Sequence, residues 1–311
     1  MRRVPLAPVV IVNLTAGGGR ALRAVGWLRD RLASRPEARL EVSRRPGDAE
    51  AIATDAAEAG HDRVVAVGGD GTVQEVVNGI LSAHGTAEMG IVPLGSGNDL
   101  ARSLGVPFEL ASAWRVAIGR STRWIDVARA SNGAGDQRWF ASAGGIGFDA
   151  QVAAAMADRH GWQAGRAGYL LTTLTELRRF EGQRIQLTIE GETVERNVLF
   201  VAIANGAYYG GGMRIAPAAR PDDGQLDICI VGDVSRLTVL RQLPNLYRGT
   251  HVGHPAVEMR SGTKVEVGGE FGTRIHLDGE PFGTLPLRVS LHHRAMVVAA
   301  PVPRMIRDGV D

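Results

Sequence analysis

Gly68-Gly69-Asp70-Gly71-Thr72 follows directly on the apolar run Arg63-Val64-Val65-Ala66-Val67 and leads into Val73-Gln74-Glu75-Val76-Val77. A short apolar run that breaks into glycines and resumes with helical character reads as a buried strand, a tight turn and a helix start. That unit belongs to parallel α/β sheets. Its glycines let the main chain approach a ligand closely, and the new helix begins with unpaired N–H groups, so the turn suits an anion such as phosphate. Asp70 is out of place if phosphate is the whole ligand. A carboxylate there fits a site that also takes a divalent cation or a ribose hydroxyl, which points to a nucleotide.

The same unit recurs on either side. Pro8 to Leu14 reads as a buried strand that runs into Thr15-Ala16-Gly17-Gly18-Gly19, with a helix over Arg20–Ala33. Two prolines and the glycine turn argue against a signal peptide over Val4–Leu14. Arg39–Ser43 reads as a strand, Asp48–Ala59 as a helix capped by Asp48, and Thr72–Ala83 as the helix after the central turn. Met89–Pro93 reads as another strand, ending in Leu94-Gly95-Ser96-Gly97-Asn98-Asp99 before a helix over Leu100–Leu104. Ligands of open parallel sheets bind outside the carboxyl ends of the strands, so the three turns are expected to converge on one ligand.

After about Ala128 the pattern changes to strands: Trp139–Ala143, Arg184–Glu190, Val194–Ala204, Leu226–Val231, Thr263–Val267, Arg274–Leu277, Leu287–His292 and Ala295–Ala299. Helices are expected only over Asp149–Ala157, Ala164–Arg179 and Ser235–Tyr247. The expectation is an α/β nucleotide domain over 1–128 with a Rossmann-like parallel sheet, and a β-rich antiparallel domain over 129–299. Residues 300–311 are expected to return to the first domain, and the active site to lie in the cleft between the two.

Composition removes several classes. Lys264 is the sole lysine, so the chain holds neither a Walker-A loop nor the lysine-bearing strand of protein kinases. Cys229 is alone, which rules out a disulfide framework and makes cytoplasm the default. A net charge of +2 makes no case for nucleic acid, and no apolar run is long enough to span a bilayer.

Several further clusters are open to two readings. Pro221-Asp222-Asp223-Gly224-Gln225-Leu226-Asp227 suits a β-turn or a hard-cation site. Leu277-Asp278-Gly279-Glu280-Pro281 suits a hairpin tip or a carboxylate base near a phosphate. Ala143-Gly144-Gly145-Ile146-Gly147-Phe148-Asp149 suits a glycine corner with Asp149 as cap, or a fourth wall of the site. His251 and His254 lack a third clustered ligand, so zinc is not expected. Tyr169, Leu170, Leu171, Leu174 and Leu177 form an apolar stripe that suits core, an acyl pocket or a membrane contact helped by Arg166, Arg178 and Arg179.

Gly-Gly-Asp-Gly-Thr, Gly-Ser-Gly-Asn-Asp-Leu-Ala-Arg, Gly-Gly-Ile-Gly-Phe-Asp, Asp-Asp-Gly-Gln-Leu-Asp and Asp-Gly-Glu, in that order, resemble the diacylglycerol kinase catalytic family, and most closely the bacterial YegS/BmrU-like lipid kinases. The resemblance covers residues 10 to about 300. It implies ATP- and Mg²⁺-dependent phosphoryl transfer to a lipid hydroxyl, diacylglycerol or a relative. It assigns the nucleotide to Asn13, Thr15, Gly17, Ser43, Gly68, Gly69, Asp70, Gly71, Thr72, Gln74, Ser96 and Asn98. It assigns Mg²⁺ to Asp223 and the carbonyls of Arg220 and Gln225, and the proton acceptor to Glu280 with Asp278 as a rival. The His-rich Arg248–Pro255 segment also resembles a family motif. Leu14 stands where the family commonly has proline, and Gln74 where asparagine is usual. The implied enzyme is cytoplasmic, visits the membrane surface to reach its lipid, and binds no nucleic acid; a homodimer is left open. The alternatives are an NAD kinase-like enzyme, which shares Gly-Gly-Asp-Gly-Thr, and a catalytically silent lipid- or nucleotide-binding regulator.

Overall fold

The computed structural model describes residues 7–35, 37–83, 86–157, 166–178, 182–270 and 272–302. The first half alternates strand and helix: β1 (Val9–Asn13), α1 (Arg20–Leu32), β2 (Arg39–Ser43), α2 (Asp48–Glu58), β3 (Arg63–Gly68), α3 (Asp70–Ser82), β4 (Glu88–Pro93), α4 (Asp99–Leu104) and α5 (Leu110–Ala117). Strands β2, β1, β3 and β4 lie side by side and parallel. Val64, Val65 and Val67 are fully buried in β3, as the uninterrupted apolar run requires of a strand covered on both faces. Each such side chain contributes roughly 1.5–3 kcal/mol relative to exposure. The carboxyl ends of β1, β3 and β4 carry the three glycine turns to one edge of the sheet.

The second half is β5 (Thr122–Ser131), β6 (Gln137–Phe140), β7 (Ala143–Gly147), α6 (Phe148–Ala157), α7 (Arg166–Leu177), β8 (Gln183–Ile189), β9 (Glu192–Ala204), β10 (Leu226–Gly232), α8 (Arg236–Arg248), β11 (Val257–Gly262), β12 (Lys264–Gly269), β13 (Arg274–Leu277), β14 (Glu280–Thr284) and β15 (Leu287–Ala299). Every pairing within this half is antiparallel. The 13-residue β9 organises it. The first part of β9 pairs with β8, and its last residues pair with β7 on one side and β10 on the other. Side chains alternate along it: Val201 and Ile203 enter a core shared with Ile146, Leu187 and Val265. Phe200 and Ala202 enter a second core closed by Phe148 and Val152 of α6, Leu177 of α7 and Val239 of α8. Cys229 lies in that second core, where burial pushes its thiol up to about 12 and leaves it inert.

Strand β15 joins the halves. It pairs with β12 and β5, is interrupted by a bulge between His292 and Met296, and sets Val298 beside Met89 of β4 in parallel register. The two C-terminal strands expected from the sequence are therefore one bulged strand. Residues 303–311 of the expected tail lie outside the described residues, as do the ends of the Ala164–Arg179 helix and the side chains of Arg166, Tyr169 and Leu170. Two further expectations are corrected. The glycine corner Gly144–Gly147 is strand β7, and Trp139–Ala143 divides between β6 and β7. Helix α5 and strands β5, β11 and β14 were not legible as elements.

Candidate active site

The three glycine turns meet. A Cβ on Gly95 would sit 2.5 Å from the Gly69 Cα, and one on Gly17 would sit 2.1 Å from the Leu94 carbonyl oxygen. Main chain therefore packs on main chain, which only glycine allows. Arg20, not singled out by the sequence, ties the first turn to the third by donating to the carbonyls of Gly17 (3.1 Å) and Gly95 (3.1 Å).

Most of the polar side chains expected at the nucleotide are committed to holding these turns. Asp70 is the clearest case. Its Oδ2 accepts the Asn98 N–H at 2.7 Å and its Oδ1 the Asp99 N–H at 2.6 Å, so it joins the α3 turn to the start of α4. Burial pushes its carboxyl up. Asn98 closes its own loop on the N–H and carbonyl of Gly95. Asn13 accepts from the Thr15 N–H and hydroxyl. Gln74 is buried and donates to the Leu277 carbonyl at 2.8 Å, which couples α3 to the strand before Asp278. What faces outward is main chain with short hydroxyl side chains. The starting N–H groups of α3 at Gly71 and Thr72 and the exposed Ser96 supply that surface, whereas Ser43, beside Asn13 in the strand register, is buried.

Asp99 extends the network into the second half. Its carboxylate accepts the N–H groups of Gly211 (3.2 Å) and Gly212 (2.9 Å). Burial, and then the Asp70 charge, push it up to about 7. The folded state then holds more protons than the unfolded state between about pH 4 and 7, so stability falls as pH rises through that window and levels above it. The expected result is a melting temperature that declines from pH 5 to pH 7, with a shallower decline in Asp99→Asn; thermal denaturation across pH checks it.

Asp278 and Glu280, two residues apart, have different surroundings. Asp278 stands at φ 49° and accepts three main-chain N–H groups: Ala141 and Ser142 at 2.9 Å and Ala143 at 3.0 Å. Burial pushes it up to about 6 against those three bonds. Both its oxygens are taken. Glu280 is exposed in the cleft and its side-chain carboxylate faces Gly71, where a Cβ would lie 3.1 Å from Oε1. Desolvation raises its pKa, opposed by Arg138. The hairpin thus sets a carboxylate with no hydrogen-bond partner among the described residues against the open N-terminus of α3.

Other predicted clusters separate from this centre. The Asp223 turn bends at Gly224 (φ 78°), whose N–H is held by fully buried Asp126 at 2.7 Å. Asp126 also accepts from the Arg294 N–H and meets His293 at 2.8 Å, so it organises the β15 bulge. Arg220 pairs with Asp222. His251 is buried on the Ile215 carbonyl, which gives it a packing role. Asp126 and Asn205 escaped the sequence reading because they stand in no motif. Asn205 donates to the Asp126 and Ala141 carbonyls from a plain strand end.

Comparison with known proteins identifies the family of both halves. Residues 7–130 match the diacylglycerol kinase catalytic domain, and residues 142–300 match the YegS C-terminal NAD kinase beta sandwich-like domain. A diacylglycerol kinase of Mycobacterium tuberculosis (strain ATCC 25618 / H37Rv) is 31% identical over 305 residues, 97% of each chain. A protein of Chromohalobacter salexigens named "Probable lipid kinase YegS-like" is 35% identical over 266 residues, 84% of this chain and 83% of its own. A solved diacylglycerol kinase structure from Bacillus anthracis str. Sterne shares the fold, with a TM-score of 0.73 at 22% identity over 95% of this chain and 97% of that one. With both halves matched, full-length relatives in hand and a carboxylate set against a glycine cradle, the chain belongs to the diacylglycerol kinase family of YegS-like lipid kinases and is itself a kinase.

Proposed function

We propose that this kinase transfers the γ-phosphoryl group of ATP to a lipid hydroxyl, with Glu280 as the base. The observation that carries the reading is the position of Glu280, without a hydrogen-bond partner among the described residues and opposite Gly71 at the start of α3. The glycine cradle fits a nucleotide: Gly17, Gly69 and Gly95 let the three turns pack main chain on main chain beside the start of α3, and that terminus favours phosphate. ATP supplies the phosphoryl group, and phosphoryl transfer rests on positioning and electrostatics. Glu280 accepts the proton of the acceptor hydroxyl as the new O–P bond forms and the bond to departing ADP breaks. Its raised pKa suits that task at neutral pH. Asp278, fully engaged with main chain, holds the hairpin.

A cavity of about 380 Å³ opens beside the far ends of β7 and β13, bounded by Gln151 and Glu176 of the facing helices and by Gln183 and Arg274. The near ends of the same two strands hold the Asp278 clamp, and the Gln, Glu and Arg lining suits a polar headgroup rather than acyl chains. The acceptor is met at a membrane surface. Leu171 and Leu174 of α7 and Leu237 and Leu240 of α8 are exposed beside exposed Arg178, Arg236 and Arg241. Leu177 and Val239 anchor the two helices in the same core, so their outer faces look away from the same sheet. Among the described residues no helix is long and apolar enough to cross a membrane. The reading keeps the enzyme in the cytoplasm with its ATP, and brings it to the membrane for its lipid.

The Asp223 turn fits Mg²⁺. Its donors are all oxygen, as a hard cation requires. Asp227 beside it is pushed up by burial and then by the Asp223 charge, a repulsion that a cation relieves. Among the described residues no three or more His, Cys, Asp or Glu side chains cluster to hold a metal. Asp223 would hold the ion with the carbonyls of Arg220 and Gln225. Mg²⁺ supplies positive charge that fixes the turn. At ten times its Kd it should stabilise the fold by about 1.4 kcal/mol. The expected result is a melting temperature higher in Mg²⁺ than in EDTA, with the difference lost in Asp223→Ala.

Comparing acceptors tests the function. With labelled ATP, diacylglycerol in mixed micelles should be labelled and NAD should not. Labelling of NAD alone would favour the NAD kinase-like alternative.

A further inference from the structure

Beneath the Glu280 hairpin lies a buried pair that the proposed chemistry does not use directly. His276 and Asp149 are 3% and 4% exposed, with His276 Nε2 3.2 Å from Asp149 Oδ2. The other ring nitrogen, Nδ1, accepts the Gly279 N–H at 3.3 Å. An Nδ1 that accepts carries no proton, so the proton of the neutral ring is on Nε2 and is donated to Asp149. Three further features fix the pair. The Tyr209 ring stacks on it, with centroids 6.0 Å apart at 13°. Asp149 is itself fixed by the Ala150 N–H on Oδ1. Gly145, across the β7–β13 register, leaves the space for the pair: a Cβ there would lie 2.0 Å from Asp149 Oδ2 and 2.3 Å from His276 Nε2. The Gly-Gly-Ile-Gly-Phe-Asp motif thus provides both the space and the carboxylate for a histidine more than a hundred residues away.

Gly279 is the residue between Asp278 and Glu280. Its φ of 88° and the 49° of Asp278 are left-handed backbone states that persist where surrounding contacts hold them, and the Asp278 side chain holds the first residue of the turn. The β13–β14 ladder pairs Leu277 with Glu280 across the turn, and the His276 ring adds a hold on Gly279 between them. We propose that His276, oriented by Asp149, is a positioning residue for phosphoryl transfer: its Nδ1 holds the Gly279 N–H and so aims Glu280 at the start of α3. This rests on the reading of Glu280 as the base.

Two variants of the full chain separate the ring's two contacts. In His276→Asn the side-chain oxygen falls near the Nδ1 position and keeps an acceptor for Gly279. In His276→Gln the amide reaches toward Asp149 but leaves no acceptor beside Gly279. Steady-state kinetics with ATP and micellar diacylglycerol should show kcat lowered about 10–100-fold in His276→Gln, within about 3-fold of the unaltered enzyme in His276→Asn, and KM for both substrates little changed in each. Equal losses in both variants, or none in either, would overturn the proposal. Should His276→Gln fail to fold, the nitrogen shifts of ¹⁵N-histidine in the unaltered protein give the second reading. The Nε2–H tautomer for His276 is expected at neutral pH, and an Nδ1–H tautomer would overturn the proposal. Glu280→Gln measured alongside keeps the two claims apart. If it is inactive while His276→Gln behaves like the unaltered enzyme, the positioning role alone fails. If it is fully active, the base reading fails and this proposal with it.

Discussion

Glu280→Gln is expected to lower kcat by roughly 10²–10⁴-fold, the range that a positioned proton acceptor contributes. The amide keeps the shape of the side chain and removes its basicity. ATP affinity should stay within a few-fold, because the cradle consists of glycine main chain and the α3 terminus, none of which depends on Glu280 for support. The fold should not suffer either. Desolvation raises the Glu280 pKa by more than the Arg138 charge lowers it, so the site on balance disfavours the charged form and a neutral amide is accommodated at least as well. Kinetics, nucleotide titration and thermal denaturation on one preparation check all three expectations.

Asp278→Ala, two residues earlier, is expected to act on the fold. It leaves the N–H groups of Ala141, Ser142 and Ala143 without their acceptor. At about 1–3 kcal/mol for each buried donor left unpaired, the loss should be roughly 3 kcal/mol or more. That corresponds to a fall of roughly 5 °C or more in melting temperature for a chain of this size. Activity should fall as well, because the hairpin that carries Glu280 loses its anchor to β7. The two neighbouring substitutions are therefore predicted to differ in kind. One removes chemistry from an intact fold, and the other loosens the fold and loses activity as a consequence. Equal melting temperatures for the two variants would show that Asp278 does not anchor the hairpin.

The contrast shows what a sequence of this kind makes legible. The strand–glycine–helix units over Val64–Thr72 and Met89–Asp99 follow from local patterning, and they are where the structure sets them. The convergence of their turns follows from the rule for parallel sheets, and Gly69 against Gly95 realises it. Individual side-chain partners were not legible, because they are decided by residues far along the chain. Gln74 reaches a carbonyl 203 positions away, and Asp278 reaches N–H groups about 136 away. Asp70 suggested a cation or a ribose by its type alone. Its two N–H partners at Asn98 and Asp99 became visible only once α4 was set beside α3. The choice between Asp278 and Glu280 was closed to sequence for the same reason, since both are carboxylates flanking one glycine. Strand β14 was missed because Glu280, Pro281 and Gly283 give no strand pattern and its pairing comes from β13.

The central claim, lipid phosphorylation driven by Glu280 facing the glycine cradle, is tested most directly by label transfer. The purified protein is incubated with γ-labelled ATP, Mg²⁺ and a total lipid extract, and the products are resolved by mass spectrometry. The account predicts phosphorylated lipid in the reaction of the unaltered protein and almost none with Glu280→Gln, while both bind ATP. ATP binding with no lipid labelled by the unaltered protein would contradict it.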